Sequence, residues 1–481
     1  MNTITRNIIN DNFVAIELQS NKSFDKIELG DKINFWKYIL KYKCQAKSQE
    51  SIVIGNQTLD INYFAIIFAS AELSLKIVII DYIRSDKFKD YDYIDPKTKV
   101  LSPIDIFLHD FPKDALEQLP DDYAKFSFFS KCSKRAYSIY EDIDFEINED
   151  ELIEAAGIYP KPTDIIIRTT SSGTTGNPKV IEHTHEFIHA VSIRNKQIYS
   201  SGKTAAHVKN LNHGASAAVT LFPVLASDNV TKHLIYGIDE DANLNDFVAK
   251  LAPYKDEICY ISFPYPYLVD KFVAASNQNR IYWSELTLVT LSYILESARL
   301  AVRDKLIKSV VSIFGATETL GPVFTNTIKA DTWDRDPRYF SQVDDFYNIQ
   351  LSDEGTISIT PPVYNTATKT NDYFKREGEY FVHQGRSDLI RINGETINVS
   401  TINTINSTYK DSYVVVDTLN HCLYIALWKD MLDIDVLKQK VESHFNRIKV
   451  TKITLLEKQN FYYGIKLDNE LLREYFRSHI D

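Results

Sequence analysis

Short apolar runs and amphipathic stretches succeed one another along the chain in a pattern that reads as strand, turn, helix, strand. SIVIGNQTLDINYFAIIFASAELSLKIVIID opens it with a β-rich run at Ser51, a polar turn, an apolar helix from about Tyr63 to Leu73 and a buried strand from Lys76 to Ile80. The same logic returns at DIIIR, isoleucine-rich in the manner of a strand buried on both faces, and the helix expected of THEFIHAVSIRN comes soon after. KHLIYGI, EICYISFP, LTLVTLSY and KSVVSIF are further short β-rich runs, separated by candidate helices such as ESARLAVRDKLIK. This order predicts an α/β architecture. Beyond about Asn348 the texture changes, because IQLSDEGTISITPPV alternates and is rich in turns, which predicts antiparallel strands. Near the end SYVVVDTLNHCLYIALW reads as a hairpin, DIDVLKQKVESHF as a helix with Leu437, Val441 and Phe445 on one face, and KVTKITLL as another strand. Roughly 95 residues from Ser387 onward suffice for a domain of their own. The expected division is a large domain of residues 1–385 and a small one of residues 386–481.

Composition narrows the class. A chain of 481 residues can bury a large interior, and 44% apolar with 25% charged residues is the balance of a globular protein. The formal charge of −11 argues against nucleic acid bound through a broad basic face, while a local pocket for a small anion stays allowed. Cys44, Cys132, Cys259 and Cys422 form no CxxC pair and are read as reduced thiols. The first residues contain no continuous apolar stretch of the secretory kind. Glu72 and Lys76 interrupt the most apolar part of the chain and would be costly in a bilayer. A cytoplasmic protein without a membrane span is the expectation.

The candidate chemistry begins at TTSSGTTGNPKV, residues 169–180, read as a loop between strand and helix. Glycine lets a backbone approach a ligand closely, serine and threonine add hydroxyl donors, and a lysine adds a point charge suited to phosphate. The spacing is not that of GxxxxGK[ST], since Val180 and Ile181 follow Lys179. Taken alone, the run is equally an ordinary turn-rich connection.

Several stretches in order resemble the acyl-adenylate-forming superfamily, which comprises acyl-CoA synthetases, acyl and aryl acid-AMP ligases, peptide-synthetase adenylation domains and luciferases. SSGTTGNPKV is similar to its [ST]SG[ST]TGxPKG loop, FGATE at Phe314 to Glu318 to its aromatic-GxTE motif, and TND at Thr370 to Asp372 to its TGD. GRSDLIRINGETI from Gly385 is similar to its hinge, and NFYYGIKLDNELLREYF to the segment that carries its catalytic lysine, here Lys466. The resemblance implies a fold of mixed and parallel sheets with flanking helices plus a distorted β-barrel, followed by a small mobile α+β C-terminal domain.

It also implies roles. Ser171, Ser172, Gly173, Thr174, Thr175 and Gly176 with Lys179 would hold the β- and γ-phosphates of ATP. Thr317 would touch the α-phosphate, Glu318 would bind Mg²⁺, and Phe314 with Gly315 would lie against adenine. Asp372 would accept from both ribose hydroxyls, Arg386 would contact the same sugar, and Lys466 would neutralise charge as pyrophosphate leaves. Asp388 would be the pivot of the small domain and Gly394 would lie near the thiol path. His213, with Gly214, Ser216 and Tyr293, would shape the acid pocket, Phe222 and Pro223 continuing as helix. Each also has a plainer reading: Glu318 as an acid at a helix start, Asp372 as a turn residue, Lys466 as a solvated lysine and His213 as a structural histidine.

The chain departs from the family pattern at Val180 and Asn371, where glycines are usual, and at Arg391, where lysine is usual. The hinge is one residue short, and LSYILE stands where GGAPL is common. The implied activity is that of an AMP-forming ligase using ATP and Mg²⁺ to activate a small carboxylic acid. Coenzyme A or a carrier-protein phosphopantetheine, and so an acyl carrier protein as partner, would take the acyl group. NHGASAAV lacks the aspartate that would pair with an α-amino group, so a non-amino acid is favoured. Transfer to an amine or protein nucleophile, and a non-catalytic nucleotide-binding regulator, are the alternatives.

Overall fold

Eleven of the twelve residues of the helix Ile61–Glu72 are buried, as a segment apolar on every side requires. The computed structural model to which it belongs describes residues 2–55, 59–78, 105–109, 135–138, 147–171, 179–208, 216–237, 244–263, 266–290, 294–362 and 367–386. It further describes 389–392, 395–398, 402, 405, 412–417, 422–428, 434–443, 445, 449–456, 462–463, 466–467 and 469–479. The chain gathers into two units, Met1–Asn348 with Ile359–Thr368, and Ile349–Ser358 with Lys369–Asp481.

In the first unit the helix Ile61–Glu72 connects the parallel strands Ser51–Gly55 and Lys76–Val78. Its start is set by Asp60, whose carboxylate accepts from the Tyr63 N–H at 2.9 Å. At its end Glu72 is fully buried, and the charge that argued against a bilayer is matched by Arg6 at 2.6 Å and Lys37 at 3.0 Å. Lys37 also donates to the carbonyls of Ala156 and Ile158. Among the described residues no helix is long and apolar enough to cross a membrane. Among the described residues Cys44, Cys259 and Cys422 form no disulfide, and Cys132 lies outside the described residues.

Six strands make one sheet of this unit, in the order Arg135–Ser138, Ile106–His109, Ser51–Gly55, Lys76–Val78, Ile165–Ser171, Lys179–Thr184. All neighbours are parallel except the last pair. That pair corrects the reading of residues 169–180 as a simple strand-to-helix loop. Lys179–Thr184 turns back as a strand on Ile165–Ser171, and only then does the helix His185–Asn195 begin, capped by the Thr184 hydroxyl. Val180 and Ile181 are both apolar and Glu182, His183 and Thr184 all polar, so the run carries no period-2 alternation that would mark it as a strand.

In a second sheet of this unit, Ile307–Phe314, Trp283–Thr290, Ile258–Phe263, Thr204–His207, Lys232–Ile235 and Val14–Glu17 run parallel in that order. These include all four β-rich runs read from the sequence. Phe324–Lys329 and then Tyr339–Gln342 extend the sheet antiparallel. The helix in ESARLAVRDKLIK spans only Glu296–Arg303, because Lys305 takes a left-handed φ of 58° and turns the chain into the next strand.

The strands Asn348–Leu351, Thr356–Thr360, Thr368–Glu377 and Tyr380–Arg386, most of whose residues belong to the second unit, lie side by side in chain order. Among the described residues no pairing closes them into a barrel. The four-residue strand Asn348–Leu351 ends the row, its residues alternating between exposed and half-buried. Further along, Ser412–Asp417 and Cys422–Leu427 form the expected hairpin. Val450–Leu455 pairs parallel with Cys422–Leu427, a crossover that the helix Ile434–Glu442 bridges. Leu437, Val441 and Phe445 pack together on one side of this sheet, as their spacing predicts. On the other side Phe476, in the helix Asn469–Ser478, stacks on Tyr424 at 4.6 Å.

Candidate functional site

Ser171 and Lys179 face each other across the last ladder position of the hairpin, so they stand at the mouth of the hydroxyl-rich loop. Ser172, Gly173, Thr174, Thr175 and Gly176 lie outside the described residues. Ion pairs brace the hairpin below its mouth: Arg168 donates to Glu182 at 2.8 and 2.5 Å, and Lys76 lies 3.8 Å from the same carboxylate.

Thr317 and Glu318 are carried by the tight connection between the antiparallel strands Ile307–Phe314 and Phe324–Lys329. Two glycines permit this shape. A Cβ on Gly315 would lie 2.2 Å from the Gly321 carbonyl oxygen, and one on Gly321 would lie 2.8 Å from Val191. Inside the turn the Thr319 hydroxyl accepts from the Ala316 N–H at 2.9 Å, and the Tyr347 hydroxyl donates to the Thr319 carbonyl at 2.8 Å. Leu320 takes a left-handed φ of 52°, the strained conformation that such packing must hold in place. Thr317 and Glu318 are half-buried, and among the described residues no cation pairs with Glu318. Phe314, also half-buried, has ring neighbours in Phe324 at 5.8 Å and Phe340 at 6.1 Å.

His183 joins these two pieces. It lies on the strand Lys179–Thr184, four residues after Lys179, and its Nε2 sits 3.1 Å from the Thr317 carbonyl oxygen, to which it donates. Burial pushes this imidazole down to about 4, so it is neutral at physiological pH, with the proton on Nε2 and no partner for Nδ1. Phe187 stacks on its ring at 5.2 Å. The helix His185–Asn195 adds a second brace: Arg194 donates to the Pro322 carbonyl at 2.7 Å and to Asp344 at 2.7 and 2.9 Å, its guanidinium lying over Phe346 and Tyr347. Hairpin and turn are therefore held together although their histidine and carbonyl are 134 residues apart in the chain. Sequence reasoning missed His183 and Arg194, and the one available signal was a histidine at a strand position otherwise suited to an apolar side chain.

Of the acid-pocket candidates, Ser216 is described, while His213, Gly214 and Tyr293 lie outside the described residues. Ser216 opens a π-helical turn, Ser216–Leu221, after which Phe222 and Pro223 begin the short helix Phe222–Leu225 as anticipated. Ser216, Tyr63, His207, Thr220, Tyr260 and Ser262 border a cavity of about 40 Å³. His207 Nε2 lies 3.0 Å from His233 Nδ1, and burial drives both imidazoles below their ordinary value, His207 to about 4.

In the second unit Asp372 is buried on the strand Thr368–Glu377 and pairs with His383 Nε2 at 3.1 Å. A bulge in the ladder sets Arg386 opposite Asp372. Lys466 stands on the two-residue strand Lys466–Leu467, opposite Tyr463. Asp388 and Gly394 lie outside the described residues, beside the paired strands Leu389–Ile392 and Glu395–Asn398. Among the described residues no group of three or more His, Cys, Asp and Glu could hold a metal ion. A lone carboxylate such as Glu318 fits Mg²⁺ only where phosphates and water complete the shell.

A family model described as AMP-binding enzyme matches residues 131–356. No curated protein matches the sequence. Among solved structures, the amide bond synthetase McbA from Marinactinospora thermotolerans is similar at a TM-score of 0.70 and 13% identity, covering 98% of each chain. A double mutant of o-succinylbenzoate CoA synthetase from Bacillus subtilis, bound to a product analogue, is similar at 0.66 and 15% over 96% of each chain. A Mycobacterium tuberculosis fatty acyl CoA synthetase is similar at 0.59 and 13%, over 97% of this chain and 95% of that one. At such identities the structures testify to a shared fold.

Proposed function

We propose that this chain is a member of the acyl-adenylate-forming superfamily, a reading supported by the AMP-binding enzyme model over residues 131–356 and by the shared fold, and that it activates a carboxylic acid with ATP to an acyl-adenylate and pyrophosphate. The observation that carries this reading is the His183 junction, which fastens the strand bearing Lys179 to the turn bearing Thr317 and Glu318. A loop for phosphates and a turn for the α-phosphate and its metal must keep a fixed separation if one nucleotide is to span them.

In this reading the 171–176 loop and Lys179 hold the β- and γ-phosphates, Thr317 meets the α-phosphate, and Glu318 offers a carboxylate to Mg²⁺. That ion, when bound, supplies charge neutralisation across the phosphates. Phe314 and Gly315 flank adenine, while Asp372 and Arg386 take the ribose. A carboxylate oxygen of the acid attacks the α-phosphorus, the bond to the bridging oxygen breaks, and its electron pair leaves with pyrophosphate. Lys466 offsets the charge that builds on the way. The acyl carbon, a poor electrophile as carboxylate, now carries AMP as a leaving group.

A thiol then displaces AMP, from coenzyme A or a carrier-protein phosphopantetheine, with residues 386–481 acting as a lid on residues 1–385 about Asp388 and Gly394. His213, Gly214, Ser216 and Tyr293 shape the acid pocket, and the missing aspartate supports a non-amino acid. The cytosol, where ATP is supplied, is the compartment this reading favours. Transfer to an amine is the second reading, favoured by the likeness to an amide bond synthetase along nearly the full length of both chains.

The test is carboxylate-dependent ATP–pyrophosphate exchange with a panel of aryl, short-chain, medium-chain and amino acids, followed by product analysis with thiol and amine acceptors. Lys466→Ala is expected to keep ATP binding and to lower exchange by about a hundredfold or more. Unchanged exchange would remove Lys466 from this role, and release of ADP in place of AMP would overturn the reaction class.

A further inference from the structure

Asp372 and His383 lie on neighbouring antiparallel strands whose register is not uniform. Phe374 faces His383, but Tyr373 faces Gly385 and Asp372 faces Arg386, so Gln384 is an extra residue in the ladder. Without it Gly385 would stand opposite Asp372. The bulge therefore brings Arg386 level with Asp372, while the register of Phe374 with His383 keeps His383 diagonal to Asp372 on the face they share with Phe374. The His383 ring packs on Phe374 at 4.9 Å, and its Nε2 reaches Asp372 Oδ1 at 3.1 Å. Both partners are at most 6% exposed. The backbone beneath is tied as well, since the Thr370 hydroxyl accepts from the Asp372 N–H at 3.3 Å and donates to the Ile357 carbonyl at 3.1 Å.

We propose that His383 is a positioning residue for nucleotide recognition, holding the Asp372 carboxylate in the one rotation that can accept from a vicinal diol. The proposal rests on the reading that Asp372 receives the ribose hydroxyls. A carboxylate on a single methylene can swing about two bonds, and each orientation sends its lone pairs elsewhere. An N–H fixed on one oxygen selects one of them, and a buried carboxylate needs such a donor in any case. The diagonal contact is set by the register of Phe374 with His383, and the bulge at Gln384 adds Arg386 at the position opposite Asp372.

The full chain is titrated calorimetrically with ATP and with 2′,3′-dideoxy-ATP, and the ratio of the two affinities is the readout. Wild type is expected to prefer ATP, and Asp372→Asn to lose the preference. His383→Phe keeps a ring against Phe374 and removes the donor. It is expected to lose most of the ratio, about tenfold, through weaker ATP binding, with the dideoxy nucleotide bound as before. His383→Gln, whose amide nitrogen reaches about as far as Nε2, is expected to restore it. Should His383→Phe fail to fold, His383→Leu takes its place with the same expectation. A folded His383→Phe or His383→Leu with the wild-type ratio overturns the proposal, and so does loss of the ratio in His383→Gln. Wild-type binding of both nucleotides alike removes Asp372 from the sugar, and failure to bind ATP at all removes the parent reading.

Discussion

Burying Glu72 takes a carboxylate wholly out of water, and only Arg6 and Lys37 make that tolerable. Burial by itself raises the Glu72 carboxyl. The hydrogen bonds from Arg6 and the charges of Lys37 and Arg6 outweigh it and hold the group below its ordinary value. Stability from this group is therefore fully present above the unfolded carboxylate value and lost as pH falls through the lower folded one. Glu72→Gln, which leaves Lys37 buried without its counter-charge, is expected to cost about 3–5 kcal/mol in denaturant unfolding and to flatten the acid limb of stability. The sequence offered Glu72 only as an argument against a bilayer, because its partners lie 35 and 66 residues away. His383 was likewise illegible. Its pairing with Asp372 needs both a strand pair and the right register within that pair, and a lone histidine in FVHQGR announces neither.

Elements with a strong internal period were readable, and those defined by a neighbour were not. The helix Ile61–Glu72, the hairpin of Ser412–Asp417 with Cys422–Leu427, and the common face of Leu437, Val441 and Phe445 all follow from spacing alone. The strand Lys179–Thr184 was missed because what makes it a strand is the edge of Ile165–Ser171, which no local pattern reveals. The turn after Phe314 carries a sharper test. Gly315→Ala sets a Cβ against the Gly321 carbonyl, a backbone atom that cannot move aside cheaply. It is expected to destabilise the protein by more than about 1 kcal/mol in urea unfolding and to lower pyrophosphate exchange by displacing Thr317 and Glu318. A variant with wild-type stability and exchange would show that the turn tolerates a side chain there and that its shape does not govern the site.

At the scale of the molecule, buried neutral histidines link the fold to pH. Burial holds His183, His185 and His207 at about 4, and His233 lies well below its ordinary value. Each takes a proton more readily in the unfolded chain, so the unfolded state binds more protons between about pH 4 and 6.5 and stability rises with pH across that window. The contribution is complete above the ordinary imidazole value and is lost as pH falls toward 4. The urea midpoint is expected to climb steadily from about pH 4.5 to 7, at up to roughly 1.4 kcal/mol per group per unit, and a flat profile would mean these rings are solvated. The amino-acid sequence by itself determined the kinds of element and the resemblance from which the chemistry is proposed, because side-chain period and the order of motifs are local properties of a chain. Only the tertiary structure decided that His183 meets the Thr317 carbonyl and His383 meets Asp372. Such contacts depend on strand order and register, and those are fixed when distant segments pack against each other.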